Sequence, residues 1–195
     1  MFIGFVLFMV HTRARYADAM AVSLEPEIDG DWLESATSEY KQANQPHRRS
    51  KWLFLVGPAC GVSGKPWARE WLDLRKRFGL VAGKGKPMMP AHGAGGQYTA
   101  AKLTLWEFTL WLRDVLIGMG EDPASKSMAE TGSHSCKSTT LSWMSKAGMS
   151  KDDRKWLGGH LERTEVSMAA YSRDMLAGPP RRMLWLYLAM RRGDF

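Results

Sequence analysis

The chain opens on an unbroken apolar run, MFIGFVLFMV, and turns polar at His11 and Thr12. Ten apolar residues are too few to cross a bilayer. The run also lacks the basic flank and small-residue cleavage site of a signal peptide. It therefore predicts a buried core helix, the first part of a helical stretch over 2–24 that breaks near His11 and Thr12. The pattern then changes. Asp31 to Lys41 reads as a short strand-rich stretch, and Trp52-Leu53-Phe54-Leu55-Val56 is an apolar strand stopped by Gly57-Pro58. The polar loop Gln42 to Lys51 lies between them, which predicts a small antiparallel sheet beside a helical body.

Helical spacing dominates the rest. Ser63 can cap a helix running to about Phe78, with Pro66 in its first turn and Trp67, Trp71, Leu74 and Phe78 on one side. Residues 82–99, rich in Gly, Pro and Ala, predict a loop. Thr104 opens a helix with Leu105, Phe108, Leu112 and Leu116 on one face. A loop over 120–133 is followed by helices at about 134–147, 150–158, 164–172 and 181–192. The expected class is mainly α with a small antiparallel β-sheet (α+β). One domain covers 1–195 and ends in a helical tail, 179–195. In that tail Met183, Leu184, Leu186, Tyr187, Leu188 and Met190 are apolar around much of a helix, so it should be buried. It either packs on its own domain or inserts into a neighbouring copy, bracketed by Arg181, Arg182, Arg191 and Arg192.

Composition narrows the partners. The net charge is +7 and the isoelectric point about 9.5. That balance favours polyanions, of which nucleic acid is the commonest. Two cysteines, Cys60 and Cys136, make no disulfide framework and suggest a reducing compartment. Neither a spaced Cys/His set nor a clustered acidic site suggests a metal, and no GK[ST] loop suggests a nucleoside triphosphate. A metal-dependent nuclease or a phosphotransferase is therefore the weaker reading.

The last third carries the densest chemistry: TGSHSCKSTT at 131–140, WLGGH at 156–160 and AAYSRD at 169–174. His134 and Lys137 are three apart, so a helix beginning near Ser133 would project both from one face of its first turn. Helix N-termini hold anions, and a His and a Lys there make a phosphate clamp. Glycines before His160 allow a tight turn that aims an imidazole inward. Tyr171 would need help as a nucleophile, since a free phenol has a pKa of about 10. His160 could take its proton. Near the start, HTRARYADA sets Arg13 and Arg15 beside Asp18, and an arginine fork suits a phosphate oxygen. Lys41 ends SATSEYK beside the sheet turn.

Arg15, Lys41, His134, Lys137, His160 and Tyr171 stand in the chain order of a tyrosine recombinase/integrase catalytic domain. From about residue 10 to 178 the chain resembles that phage-integrase-like family. It looks closest to eukaryotic, retroelement-like members in which RYADA, LVGPACG, GSHSCK, LGGH and YSRD recur as blocks. The resemblance implies a site-specific recombinase fold and activity on double-stranded DNA, with no metal or other cofactor. Tyr171 would attack the scissile phosphate to give a 3′-phosphotyrosine. Arg15 and Lys137 would hold the non-bridging oxygens, Lys41 (with Lys51 as a rival) would protonate the departing 5′-oxygen, and His134 and His160 would manage protons. Arg13, His47, Arg48, Arg49, Lys51 and Arg173 are the expected DNA contacts.

Two departures stand out. The family's His-x-x-Arg is here His134-Ser-Cys-Lys137, which keeps charge but loses the planar two-pronged contact. The interval from His160 to Tyr171 is about two residues longer than the resemblance implies, about half a helical turn. The alternative to an active recombinase is a catalytically impaired DNA-binding remnant of a mobile element. The family's separate N-terminal core-binding domain is missing, so the chain is expected to be a fragment or degenerate copy. Self-association on DNA through the C-terminal helix, no membrane partner, and an intracellular location, nuclear if the source is eukaryotic, complete the expectations.

Overall fold

A computed structural model describes residues 1–40, 52–159 and 173–195, with the backbone alone at 173–177. Among them the order is α1 (Phe2–Thr12), α2 (Tyr16–Met20), β1 (Leu24–Asp29), β2 (Trp32–Thr37), β3 (Leu53–Pro58), α3 (Trp67–Arg77), β4 (Pro90–His92), β5 (Tyr98–Lys102), α4 (Leu105–Gly118), α5 (Lys126–Glu130), α6 (Ser133–Lys146), α7 (Lys151–Leu157) and α8 (Arg173–Arg192). The α+β class expected from the pattern is the class observed.

The opening apolar run is a buried helix. Phe5, Phe8 and Met9 of α1 are fully buried among Leu33, Leu55, Trp71, Met88, Leu103 and Phe108. Helices α1 and α3 approach so closely that a Cβ on Gly4 would lie inside the indole of Trp71. Helix α1 ends where Arg13 takes a left-handed conformation, φ 56°. That reversal, uncommon for a residue with a side chain, is held by hydrogen bonds from the Arg13 guanidinium itself. The expected helical stretch over 2–24 is thus corrected to two helices and the start of a strand.

Strands β1, β2 and β3 form an antiparallel sheet in that order. Cross-strand partners are Glu27 with Glu34, Asp29 with Trp32, Glu34 with Val56 and Ala36 with Phe54. Opposite residues share a face. One face buries Leu33 and Leu55 in the core; the other presents Glu27, Asp29, Trp32, Glu34 and Phe54. Pro26 is tolerated because β1 is an edge strand.

Three further corrections concern local elements. Helix α3 begins at Trp67 rather than near Ser63, with Pro66 as its N-cap. The expected loop over 82–99 contains β4 and leads into β5, which pair as a hairpin. The expected loop over 120–133 contains α5, capped by the Ser125 hydroxyl accepting from the Met128 amide. Helix α4 begins at the expected place. Thr104 and Glu107 form a reciprocal capping box there. The expected helix over 164–172 lies outside the described residues.

The C-terminal helix packs on its own chain. Met183, Leu186 and Tyr187 form a second buried cluster with Met144 and Leu157. Trp185 and Leu188 remain exposed, so the helix is amphipathic rather than apolar all round. Tyr187 also reaches the first core, where its hydroxyl lies 2.8 Å from His11 Nδ1. No helix among the described residues is long and apolar enough to cross a membrane.

Candidate functional site

A cleft of about 560 Å³ opens between the α2–α6–α7 side of the molecule and the outer face of the sheet. Arg15 is the N-cap of α2. Its guanidinium lies 3.6 Å from Asp18, one turn on, and its side chain is 32 % exposed. Asp18 is only 2 % exposed. One of its oxygens faces Arg15, and the other, Oδ1, has no hydrogen-bond partner among the described residues. A carboxylate in the first turn also favours the helix's positive end.

Lys137 enters from α6 at 4 % exposure. Its ammonium donates to the carbonyl of Gly158, in the turn that ends α7. Burial, and next the charge of Arg15, push its pKa down to about 8; Asp18 pulls the other way and Arg13 adds to the depression. The same turn contains Gly159 at φ 65°, a conformation that favours glycine. His134 does not accompany Lys137 into the cleft. Three residues apart on α6, His134 is exposed and Lys137 buried, so the clamp expected from their spacing is not formed by these two side chains together.

Arg13 is corrected outright as a DNA contact. It is 5 % exposed. Its donors go to the carbonyls of His11 at 2.6 Å, Val56 at 2.8 Å and Leu157 at 3.1 Å, with Met183 Sδ at 2.9 Å. Burial lowers its pKa to about 10. It ties α1, β3, α7 and α8 together in the lining of the cleft and has little left for a phosphate.

Lys41, His160 and Tyr171 lie outside the described residues, as do His47, Arg48, Arg49 and Lys51. Arg173 begins α8, but its side chain is likewise outside them. Tyr40 and Gly159, the chain neighbours of Lys41 and His160, both line the cleft.

The sheet wall holds the residues that sequence reasoning missed. Glu27, Asp29, Trp32 and Glu34 face the cleft from β1 and β2, Phe54 faces it from β3, and Trp156 and Arg181 come from α7 and α8. Alternation at 27/29 and 32/34 was the available signal, once the stretch between the expected helix over 2–24 and the strand-rich segment from Asp31 is taken as a strand. The cleft is therefore two-signed, with cations on the helical side and carboxylates on the sheet. Among the described residues no group of three or more His, Cys, Asp or Glu side chains could hold a metal. Cys136 is buried, and burial raises its thiol pKa to about 11, so it is no thiolate near neutral pH.

No family model, curated protein or solved structure matches this chain.

Proposed function

We propose that this chain is the catalytic domain of a tyrosine recombinase, breaking and rejoining DNA through a 3′-phosphotyrosine at Tyr171. One observation carries the reading. A single cleft gathers Arg15, Lys137, Tyr40 beside Lys41, and Gly159 beside His160, positions that the recombinase-like blocks scatter over more than a hundred residues of sequence. The net positive charge adds attraction for a polyanion.

In this reading the phenolic oxygen of Tyr171 forms a bond to the scissile phosphorus as the bond to the 5′-oxygen breaks. The phenol's proton passes to His160, and the departing 5′-oxygen takes one from Lys41. Arg15 is partly exposed in the cleft, poised for a non-bridging oxygen. Charge builds on those oxygens during attack, and each preorganised donor lost there costs about 3–4 kcal/mol. Lys137 contributes charge from below, because one of its donors is already held by Gly158.

That hydrogen bond also favours a second reading, a DNA-binding remnant with impaired cleavage. A pool of nicked random-sequence duplexes separates the two. An active recombinase leaves a covalent protein–DNA adduct that survives denaturation and disappears in Tyr171→Phe. An adduct that persists in Tyr171→Phe removes that residue as nucleophile. Salt-sensitive binding with no adduct from the native chain selects the remnant.

A further inference from the structure

We infer that the basic surface formed by the end of α3, the turn over 83–86 and β5 holds the phosphate backbone of duplex DNA, at a place separate from the cleft. This rests on the DNA reading above and assigns the surface that supplies most of the attraction for the polyanion.

Charge is unevenly spread along the chain. Between Asp73 and Glu107 stand Arg75, Lys76, Arg77, Lys84, Lys86 and Lys102 and no acidic residue, nearly the whole of the net charge of +7. The rest of the chain is close to neutral. Arg75 is buried at 1 % exposure and pairs with Glu25 at 3.4 Å. The other five cations are exposed, and none has an ion-pair partner among the described residues. Lys76 and Arg77 suit the negative end of α3. Lys84 and Lys86 cap no helix, and Lys102 stands just before the positive end of α4, where a cation is disfavoured. Helix stabilisation therefore does not account for the cluster.

The fold brings these positions together. Arg75 donates to the Met88 carbonyl at 2.7 Å. The Glu25 carboxylate that it holds also accepts from the Ala82 amide, so the segment after α3 is fixed against the helix. Within that segment the Lys86 amide donates to the Gly83 carbonyl at 2.9 Å. Gly85, at φ 76°, completes a tight turn that contains Lys84 and Lys86. Phe78 meets Tyr98 edge to face, 5.5 Å between ring centroids, which joins the end of α3 to β5. Tyr98 and Lys102 share one face of β5, about 13 Å apart. The cations thus cover a broad surface, with Phe78 and Val81 exposed among them.

The cleft offers no such array. None of the five exposed cations lines it. It opens on the outer face of the sheet, whereas α3 packs with Leu33 and Leu55 of the inner face. The cleft's own cations stand across from Glu27, Asp29 and Glu34. A duplex carries one negative charge per about 1.7 Å of its axis. A further stretch of it on the α3 side meets cations that no carboxylate opposes. Contacts to phosphate position DNA without reading its bases, so this surface binds duplex of any sequence and leaves the scissile phosphate to the cleft.

The test titrates a mixed-sequence duplex, several helical turns long, into the protein over a salt series, with binding read by fluorescence anisotropy. The variant Lys84→Gln/Lys86→Gln/Lys102→Gln changes only exposed side chains. Loss of three phosphate contacts should flatten the slope of log affinity against log salt by about 2 to 3, and weaken binding at least about tenfold at about 0.1 M salt. The control Lys126→Gln/Lys146→Gln/Lys151→Gln removes the same charge from exposed positions on α5, α6 and α7, and should flatten the slope by less than about 1. Equal effects of the two triple variants, or an unchanged slope in the first, overturn the inference. So does loss of binding to phosphatidylserine vesicles with duplex binding unchanged, which would assign the surface to a membrane. If the first variant keeps the native slope while the native chain forms a Tyr171-dependent adduct, the inference falls and the recombinase reading stands. If the slope flattens as expected and the native chain gives no adduct, the inference stands and the remnant reading is selected. If the native chain binds no duplex, both fall.

Discussion

Lys137 shows how much a residue's role depends on where its charge is put. It is a nearly buried ammonium bonded to the Gly158 carbonyl, with its pKa lowered to about 8 chiefly by burial. The unfolded chain holds that proton to about pH 10.4. Between about pH 8 and 10 the unfolded state therefore binds more protons, and native stability should rise with pH through this window. In Lys137→Met that rise should vanish, so the stability difference between native and variant protein should shift toward the native chain as pH climbs from 8 to 10. Denaturant midpoints at several pH values measure it, and parallel curves would rule out a depressed lysine. In sequence, Lys137 and Arg13 look like any cation near a candidate phosphate. Arg15, two residues from Arg13, does remain partly exposed in the cleft. Nothing local separates those two arginines; the left-handed turn at Arg13 sends one inward and leaves the other at a helix start.

At the scale of elements, the hairpin of β1 and β2 determines what the cleft can hold. It places Glu27 opposite Glu34 on the outer face. Relieving that pair by Glu27→Gln should stabilise the fold by about 0.2–1 kcal/mol, up to about 3 °C in Tm for a chain of this size. The gain should shrink in high salt, which already screens exposed charges. A thermal melt at two ionic strengths is sufficient, and a lower Tm for the variant would mean that Glu27 has a stabilising partner. Much at this scale was legible. The strand through Leu53–Val56 and the helix capped by Thr104 carry strong local signals, an apolar run closed by Gly-Pro and a Thr-x-x-Glu box. The β1 strand was not legible. Its LEPEID contains a proline and two glutamates, and its pairing with β2 outweighs that weak propensity. The β4–β5 hairpin was hidden for a similar reason, since Gly- and Pro-rich flanks read as loop until a partner strand is known.

Across the whole molecule, a small set of polar contacts joins the two cores. His11 meets Tyr187 at 2.8 Å and stacks near Trp67. Thr140 on α6 donates to the Val10 carbonyl at 2.8 Å. Arg191 reaches the carbonyls of Gly61 and Val62. Burial, and next the charge of Arg13, lower the His11 pKa to about 3. Below about pH 6.5 the unfolded chain takes up a proton there that the folded protein refuses. Stability from this site is thus complete above pH 6.5 and declines toward pH 3, by at most about 1.4 kcal/mol per pH unit. His11→Gln should be less stable than the native chain at pH 7, with the gap narrowing as pH falls to 4. A gap that stays constant would show that His11 does not titrate between the two states. Local pattern was enough to determine the α+β class, the burial of the first helix and the order of the charged blocks, because hydrophobic periodicity is a property of neighbouring residues. Only the tertiary structure decided that Arg13 and Lys137 turn inward, that His134 stays outside, and that three carboxylates face the cations across one cleft. Burial and facing are set by distant segments packing together, and no window of sequence contains both walls.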